Sequence, residues 1–134
     1  MSEPQGHRQT DCLAISDGAV ETAARALRDG RLVAFPTETV YGLGADACNA
    51  DAVAGIFAAK QRPSFNPLIS HVASIEAAFA LGRATPFAKR LAAAFWPGPM
   101  TLILERQTGG HIARLTSAGL DRIALRVPAN VTAR

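Results

Sequence analysis

A chain of 134 residues, 49% hydrophobic and 19% charged, carries enough apolar material for one packed domain and is not composed like a disordered segment. Its net charge of +3 suits anionic ligands such as nucleotides or RNA, and solvated surface charge accounts for it equally well. No apolar run reaches membrane-spanning length, no signal-peptide core is found, and Cys12 and Cys48 form no C-x-x-C pair. A cytoplasmic chain with no membrane span, no zinc site and no disulfide framework is therefore expected.

Residues 1–11 are polar and aperiodic and read as a flexible tail, with one domain over 12–134. Cys12-Leu13-Ala14-Ile15 suits a short strand. Asp17 suits the N-cap of a helix with Val20, Ala23, Ala24 and Leu27 on one face, stopped by Gly30. The apolar run Leu32–Phe35 predicts a strand that ends in the polar turn Pro36-Thr37-Glu38-Thr39-Val40-Tyr41, and Leu43–Ala47 a further extended piece. Asn49 or Asp51 caps a second helix bearing Val53, Ile56 and Phe57, with Lys60 on the same face one turn later. Pro63 and Pro67 stiffen a loop before the strand Leu68–Ala73, and Ser74 starts a short helix, Ile75–Leu81. Thr85-Pro86 opens another helix with Phe87, Leu91 and Phe95 inward, stopped by Pro97-Gly98-Pro99. Met100–Leu104 and Ile123–Val127 read as strands on either side of a turn at Gln107–Gly110. Alternating helices and short apolar strands define an α/β class with a largely buried mixed sheet. Only seven residues follow the final strand, so the domain is expected to be truncated, with C-terminal elements missing.

Two polar clusters sit at the ends of apolar elements. A lysine on a buried stripe is awkward for a core, so Lys60 is expected to face a pocket, with Arg62 beside it as a forked donor for phosphate. The alternative for Lys-x-Arg at a helix C-terminus is favourable interaction with the helix dipole, worth ~0.3–1 kcal/mol. Asn66 either binds a ligand or forms an ordinary Asn-Pro turn. By period two, His71 shares a face with Ile69 and Ala73; a core histidine is the usual outcome of that placement, and a ligand-facing one the alternative. Thr37, Glu38, Thr39 and Tyr41 cluster at the C-terminal end of a strand, where open α/β sheets place ligands. Gly42 and Gly44 lack the third glycine of a dinucleotide fingerprint, and no P-loop or G-x-S-x-G is present.

Four motifs in order carry a resemblance: P-T-E-T-V-Y-G-L-G from Pro36, K-Q-R-P-S-F-N-P-L-I-S-H from Lys60, F-W-P-G-P-M-T-L-I-L from Phe95 and T-S-A-G-L-D-R-I-A-L-R-V-P from Thr116. Together they resemble the YrdC-like domain of threonylcarbamoyl-AMP synthases, over roughly Asp17 to Ala129. The resemblance implies a YrdC-like twisted mixed sheet with flanking helices. It also implies synthesis of threonylcarbamoyl-adenylate from L-threonine, bicarbonate and ATP with Mg²⁺ and no protein metal cage, feeding tRNA threonylcarbamoyladenosine modification and its downstream partner proteins. Carried over by position, Thr39, His71 and Arg126 would hold threonine. Lys60, Arg62 and Asn66 would hold ATP, with Lys60 and Arg62 catalytic. The chain departs from the pattern at Arg122, where the family usually has Thr, and at Asn130, where a His often ends the motif. The family's later Ser-x-Asn motif is not reached before Arg134. Two other readings are a carbamoyl-adenylate-forming domain of carbamoyltransferases and a non-catalytic RNA-binding module of the same fold.

Overall fold

A computed structural model describes residues 9–134. The expected tail lies mostly outside these residues. Residues 9–15 are exposed coil, so the strand expected at Cys12–Ile15 does not form. Leu13 and Ile15 find no partner strand and stay exposed.

Local capping chemistry sets most element starts. Ser16, not Asp17, caps α1 (Asp17–Arg28): its extended backbone lets the hydroxyl accept the Ala19 N–H at 3.1 Å. Asp17 becomes the acidic first-turn residue. Asn49 caps α2 (Ala50–Lys60) by accepting from Asp51 and Ala52. Ser74 caps α3 (Ile75–Leu81), and Thr85 caps α4 (Pro86–Phe95) with Pro86 in the first turn. The strands are β1 (Val33–Phe35), β2 (Gly42–Gly44), β3 (Ile69–His71), β4 (Leu102–Glu105) and β5 (Arg122–Arg126). A 3-10 helix at Arg114–Ser117, absent from the sequence reading, precedes β5.

The strands divide between two sheets. β1 and β2 form an antiparallel hairpin, and β3-β5-β4 a mixed sheet in which β5 runs parallel to β3 and antiparallel to β4. One face of the three-stranded sheet, with Leu102, Leu104, Ile123 and Leu125, packs on Ala78 of α3 and on Ala88 and Ala92 of α4. Trp96 closes this core; its indole N–H donates to the Met100 carbonyl at 2.7 Å, and its ring lies 6.3 Å from that of Phe79. Of the residues of α4 expected inward, Leu91 packs against this core and the two phenylalanines do not. Phe87 and Phe95 are 62% and 57% exposed, because the small Ala88 and Ala92 let the helix approach the sheet and Trp96 fills the remaining space.

The N-terminal half forms a second packing unit. Ala52, Val53, Ile56 and Phe57 of α2 are buried, and Ala23, Ala24 and Leu27 of α1 are partly covered. This unit joins the sheet through the 3-10 helix. Ala113 N–H donates to the Ala47 carbonyl at 2.8 Å, and Leu68 N–H to that of Thr116 at 2.9 Å. Among the described residues, no helix is long and apolar enough to cross a membrane, and no group of three or more potential metal ligands occurs.

Candidate functional site

The second face of the three-stranded sheet is organised in rows across the strands. His71 pairs with Arg126, and Thr101, one residue before β4, continues that row on the far side. This is a polar row. The next row, Ile69, Ala124 and Ile103, is apolar and half open, with Ile103 66% exposed. His71 and Arg126 on neighbouring strands, and Thr101 at the entry to β4, therefore share one row, although 55 residues separate the first two (126 − 71).

His71 is not a core histidine. The face it shares with Ile69 and Ala73 is the exposed one, and Ser70 points into the core instead. The Ser70 hydroxyl is the buried side-chain polar atom that lacks a partner among the described residues. Phe35, at the end of β1, stands edge-on to the His71 ring with centroids 6.3 Å apart. Partial burial lowers the imidazole pKa, the Ile69 carbonyl contact raises it, and the Arg126 charge lowers it further, with a net downward shift. His71 is consequently neutral at pH 7. Its Nδ1 lies 3.2 Å from the Ile69 carbonyl, which can only accept, so Nδ1 carries the proton and Nε2 offers a lone pair.

Phe35 leads directly into the β1–β2 turn. Thr37 hydroxyl donates to the Val40 carbonyl at 2.5 Å and accepts the Thr39 N–H at 3.3 Å. With the Thr37 proton so committed, the 3.2 Å contact between the two hydroxyls has Thr39 as donor, leaving Thr39 lone pairs free to accept. Glu38 fixes the turn from the other side: its carboxylate accepts the Asn130 N–H at 2.6 Å, just beyond β5. That bond is the main cause of its lowered pKa; partial desolvation opposes it and the Arg126 charge adds to it. Arg126 donates from Nε and Nη2 to the Thr101 hydroxyl at 3.1 and 2.9 Å.

Lys60, Arg62 and Asn66 lie on the loop from α2 to β3. Lys60 is exposed, not on the buried stripe: the helix ends there, and the chain turns through Gln61 in the left-handed region at φ 49°. Gln61 N–H reaches Ala58 and Arg62 N–H reaches Phe57, a Schellman-type closure that places both cations at the C-terminal end of α2. Among the described residues neither cation has a salt-bridge partner, and no hydrogen bond joins them to Thr39. The Phe35–His71 contact and the Glu38–Asn130 bond tie the β1–β2 turn to the edge of the sheet that carries His71 and Arg126. Glu38 belongs to the turn cluster legible in the sequence, whereas Thr101 carries no sequence signal that marks it as a site residue. The row position of Thr101, opposite Arg126, becomes visible only once the β4–β5 register is known.

A guanidinium and an imidazole side by side on the open face of a mixed sheet, with a hairpin turn tied to its edge, define an α/β domain. The Sua5/YciO/YrdC family model, described as telomere recombination, matches residues 25–134, and the chain belongs to this family. The threonylcarbamoyl-AMP synthase of Pyrococcus abyssi (strain GE5 / Orsay) is 49% identical over 117 residues, covering 87% of this chain and 34% of that protein. The synthase of Bacillus subtilis (strain 168) is 51% identical over 120 residues, covering 89% and 34%. A crystal structure of P. abyssi Sua5 complexed with L-threonine superposes with a TM-score of 0.83 at 48% identity, covering 90% of this chain and 35% of that one. The YrdC-like α/β fold is thereby established, and the chain spans about a third of the length of these relatives.

Proposed function

We propose that this domain carries threonylcarbamoyl-AMP synthase chemistry, making threonylcarbamoyl-adenylate and pyrophosphate from L-threonine, bicarbonate and ATP. The observation that carries the reading is the row of His71 and Arg126 on one face of the sheet, with the turn that follows Phe35 tied to the end of β5 by the Glu38–Asn130 bond. The fork matches a carboxylate bidentately. His71 Nε2 and Thr39 Oγ1 accept from the ammonium and hydroxyl groups of the amino acid. A site that hydrogen-bonds a hydroxyl rejects analogues lacking it far better than an apolar pocket rejects an added group. Support comes also from the relatives named for this activity and from the threonine complex of the P. abyssi protein.

In the reaction, threonine nitrogen takes up bicarbonate carbon with loss of water, and a carbamate oxygen then attacks the α-phosphorus of ATP. The bond from that phosphorus to the bridging oxygen breaks, and pyrophosphate leaves. Lys60 and Arg62 balance the phosphate charge, and Asn66 supplies hydrogen bonds to the nucleotide. Mg²⁺ accompanying ATP would supply further neutralisation of phosphate charge beside Lys60 and Arg62. The product would serve tRNA threonylcarbamoyladenosine formation in the cytoplasm, with RNA and the modification proteins as downstream partners.

The test measures pyrophosphate release by a full-length protein carrying this domain, with threonine, bicarbonate, ATP and Mg²⁺. Threonine-dependent release is expected, and Arg62→Ala should weaken ATP binding more than threonine binding. Release independent of threonine would overturn the reading, and the opposite ranking for Arg62→Ala would reassign the loop.

A further inference from the structure

Arg126 can reach a carboxylate productively only if its guanidinium is held still, and the structure shows what holds it. A guanidinium has two donor edges: a side edge made of Nε–H and one Nη2–H, and an end edge made of Nη1 and the outer Nη2 hydrogen. Thr101 Oγ1 lies 3.1 Å from Nε and 2.9 Å from Nη2, so one hydroxyl oxygen occupies the whole side edge. Two bonds to one point fix both the tilt and the rotation of the plane. The end edge, two parallel donors, is left for the ligand.

We propose that Thr101 is a positioning residue for threonine: it fixes the Arg126 guanidinium so that the end edge is presented to the substrate carboxylate. This deepens the proposed function and rests on it for the identity of the ligand. Three features support the assignment. Thr101 stands opposite Arg126 in the row that continues the β4–β5 register, so the two meet without strand distortion. Its position is itself pinned, since Gly98 N–H donates to the Val127 carbonyl at 2.8 Å and Trp96 Nε1 to Met100, which holds the 96–101 segment beside the end of β5. On the other side of Arg126, His71 is neutral and Glu38 is engaged by Asn130, so neither forms an ion pair with the guanidinium that could fix it instead. Without Thr101, the fork would swing about its last torsions, and part of the binding free energy would be lost in ordering it.

The experiment uses the 134-residue chain with Thr101→Val, which keeps the shape and removes the acceptor, and Thr101→Ser, which keeps the acceptor. Two readouts are taken. In arginine-labelled protein, the Arg126 Nε–H resonance should be sharp and slow to exchange with water in the parent and Ser variant, and should broaden in the Val variant. By calorimetry, Thr101→Val should weaken L-threonine binding roughly tenfold, with Ser within roughly threefold of the parent and melting temperatures unchanged. An unaltered Nε–H signal and affinity in Thr101→Val, or an equal loss in Ser and Val, would overturn the proposal. If the parent itself binds no threonine, the functional reading fails for this chain, while the Nε–H comparison still decides whether Thr101 holds Arg126. Should Thr101→Val fail to fold, Thr101→Ala removes the same acceptor.

Discussion

Replacing Arg126 by lysine keeps the charge and deletes the fork. An ammonium offers a point charge with no paired edge, and it cannot hold Thr101 and a carboxylate at once. Arg126→Lys should therefore weaken threonine binding about tenfold or more, roughly 1.4 kcal/mol, while ATP binding is nearly unchanged. Calorimetric titration with each ligand separates the two. His71 supplies a prediction in pH. Its folded pKa lies below the ordinary imidazole value of about 6.5. Between these two values the unfolded chain binds more protons than the folded one, so stability rises with pH across the window and falls as pH drops through it. Glu38, whose folded pKa lies below the ordinary carboxylate value, adds stability that is present at neutral pH and lost on further acidification. Melting temperature should accordingly fall in two steps on acidification. His71→Gln should remove the first step, and an unchanged profile in that variant would show that the imidazole is not desolvated.

At the scale of elements, the hairpin is coupled to the sheet through one aromatic ring. Gly44 has no Cβ, and one added there would come 2.5 Å from a ring carbon of Phe35. Phe35 in turn stands against His71. Gly44→Ala must displace the ring, with an overpacking cost of about 1–3 kcal/mol. The displacement should appear as a shift of the His71 imidazole resonances and a weaker threonine affinity; movement of neither would mean that Phe35 does not couple the hairpin to the sheet. Local chemistry made such elements readable. Pro36–Tyr41 and Ser74 show their turn and cap residues directly, and the helix expected at Ile75–Leu81 forms over that range. What failed depended on partners far along the chain. Of the stripe Phe87–Leu91–Phe95, with correct helical spacing, Leu91 packs against the core as expected, yet the two phenylalanines stay exposed and Ala88 and Ala92 pack inward, because a sheet already filled by Leu102, Leu104 and Leu125 leaves little room. The alternation of Ile69 and His71 was likewise visible, and which face meets the core was set by α3 and α4. Motif order is what proposes Thr39, His71 and Arg126 as site residues; Thr101 needed the register of two strands.

For the whole molecule, the two packing units carry unequal burial. The β3-β5-β4 sheet with α3 and α4 contains Ala78, Ala92 and Leu125 at full burial, whereas α1 contributes no fully buried residue and β1 and β2 are only half-buried. The N-terminal unit is held to the sheet by the Phe35–His71 edge, the Glu38–Asn130 bond and the backbone bonds around Ala47 and Thr116. Regions with few buried apolar contacts open at lower free energy than the core. Hydrogen exchange should thus find α1 and the β1–β2 hairpin opening sub-globally, and β4–β5 exchanging only with global unfolding. A ligand that contacts Thr39 on the hairpin and Arg126 on the sheet binds only when the two units are closed. By mass action it must favour that state, and the effect grows with ligand concentration as RT ln(1 + [L]/Kd). At a hundredfold excess of threonine over its dissociation constant, this amounts to about 2.7 kcal/mol. The slowing should be concentrated at residues 37–44, where closure is required, and nearly absent in α4, which the ligand does not bridge. Protection spread evenly over both units, or confined to β5, would show that threonine binds the sheet alone and that the hairpin turn takes no part in the site.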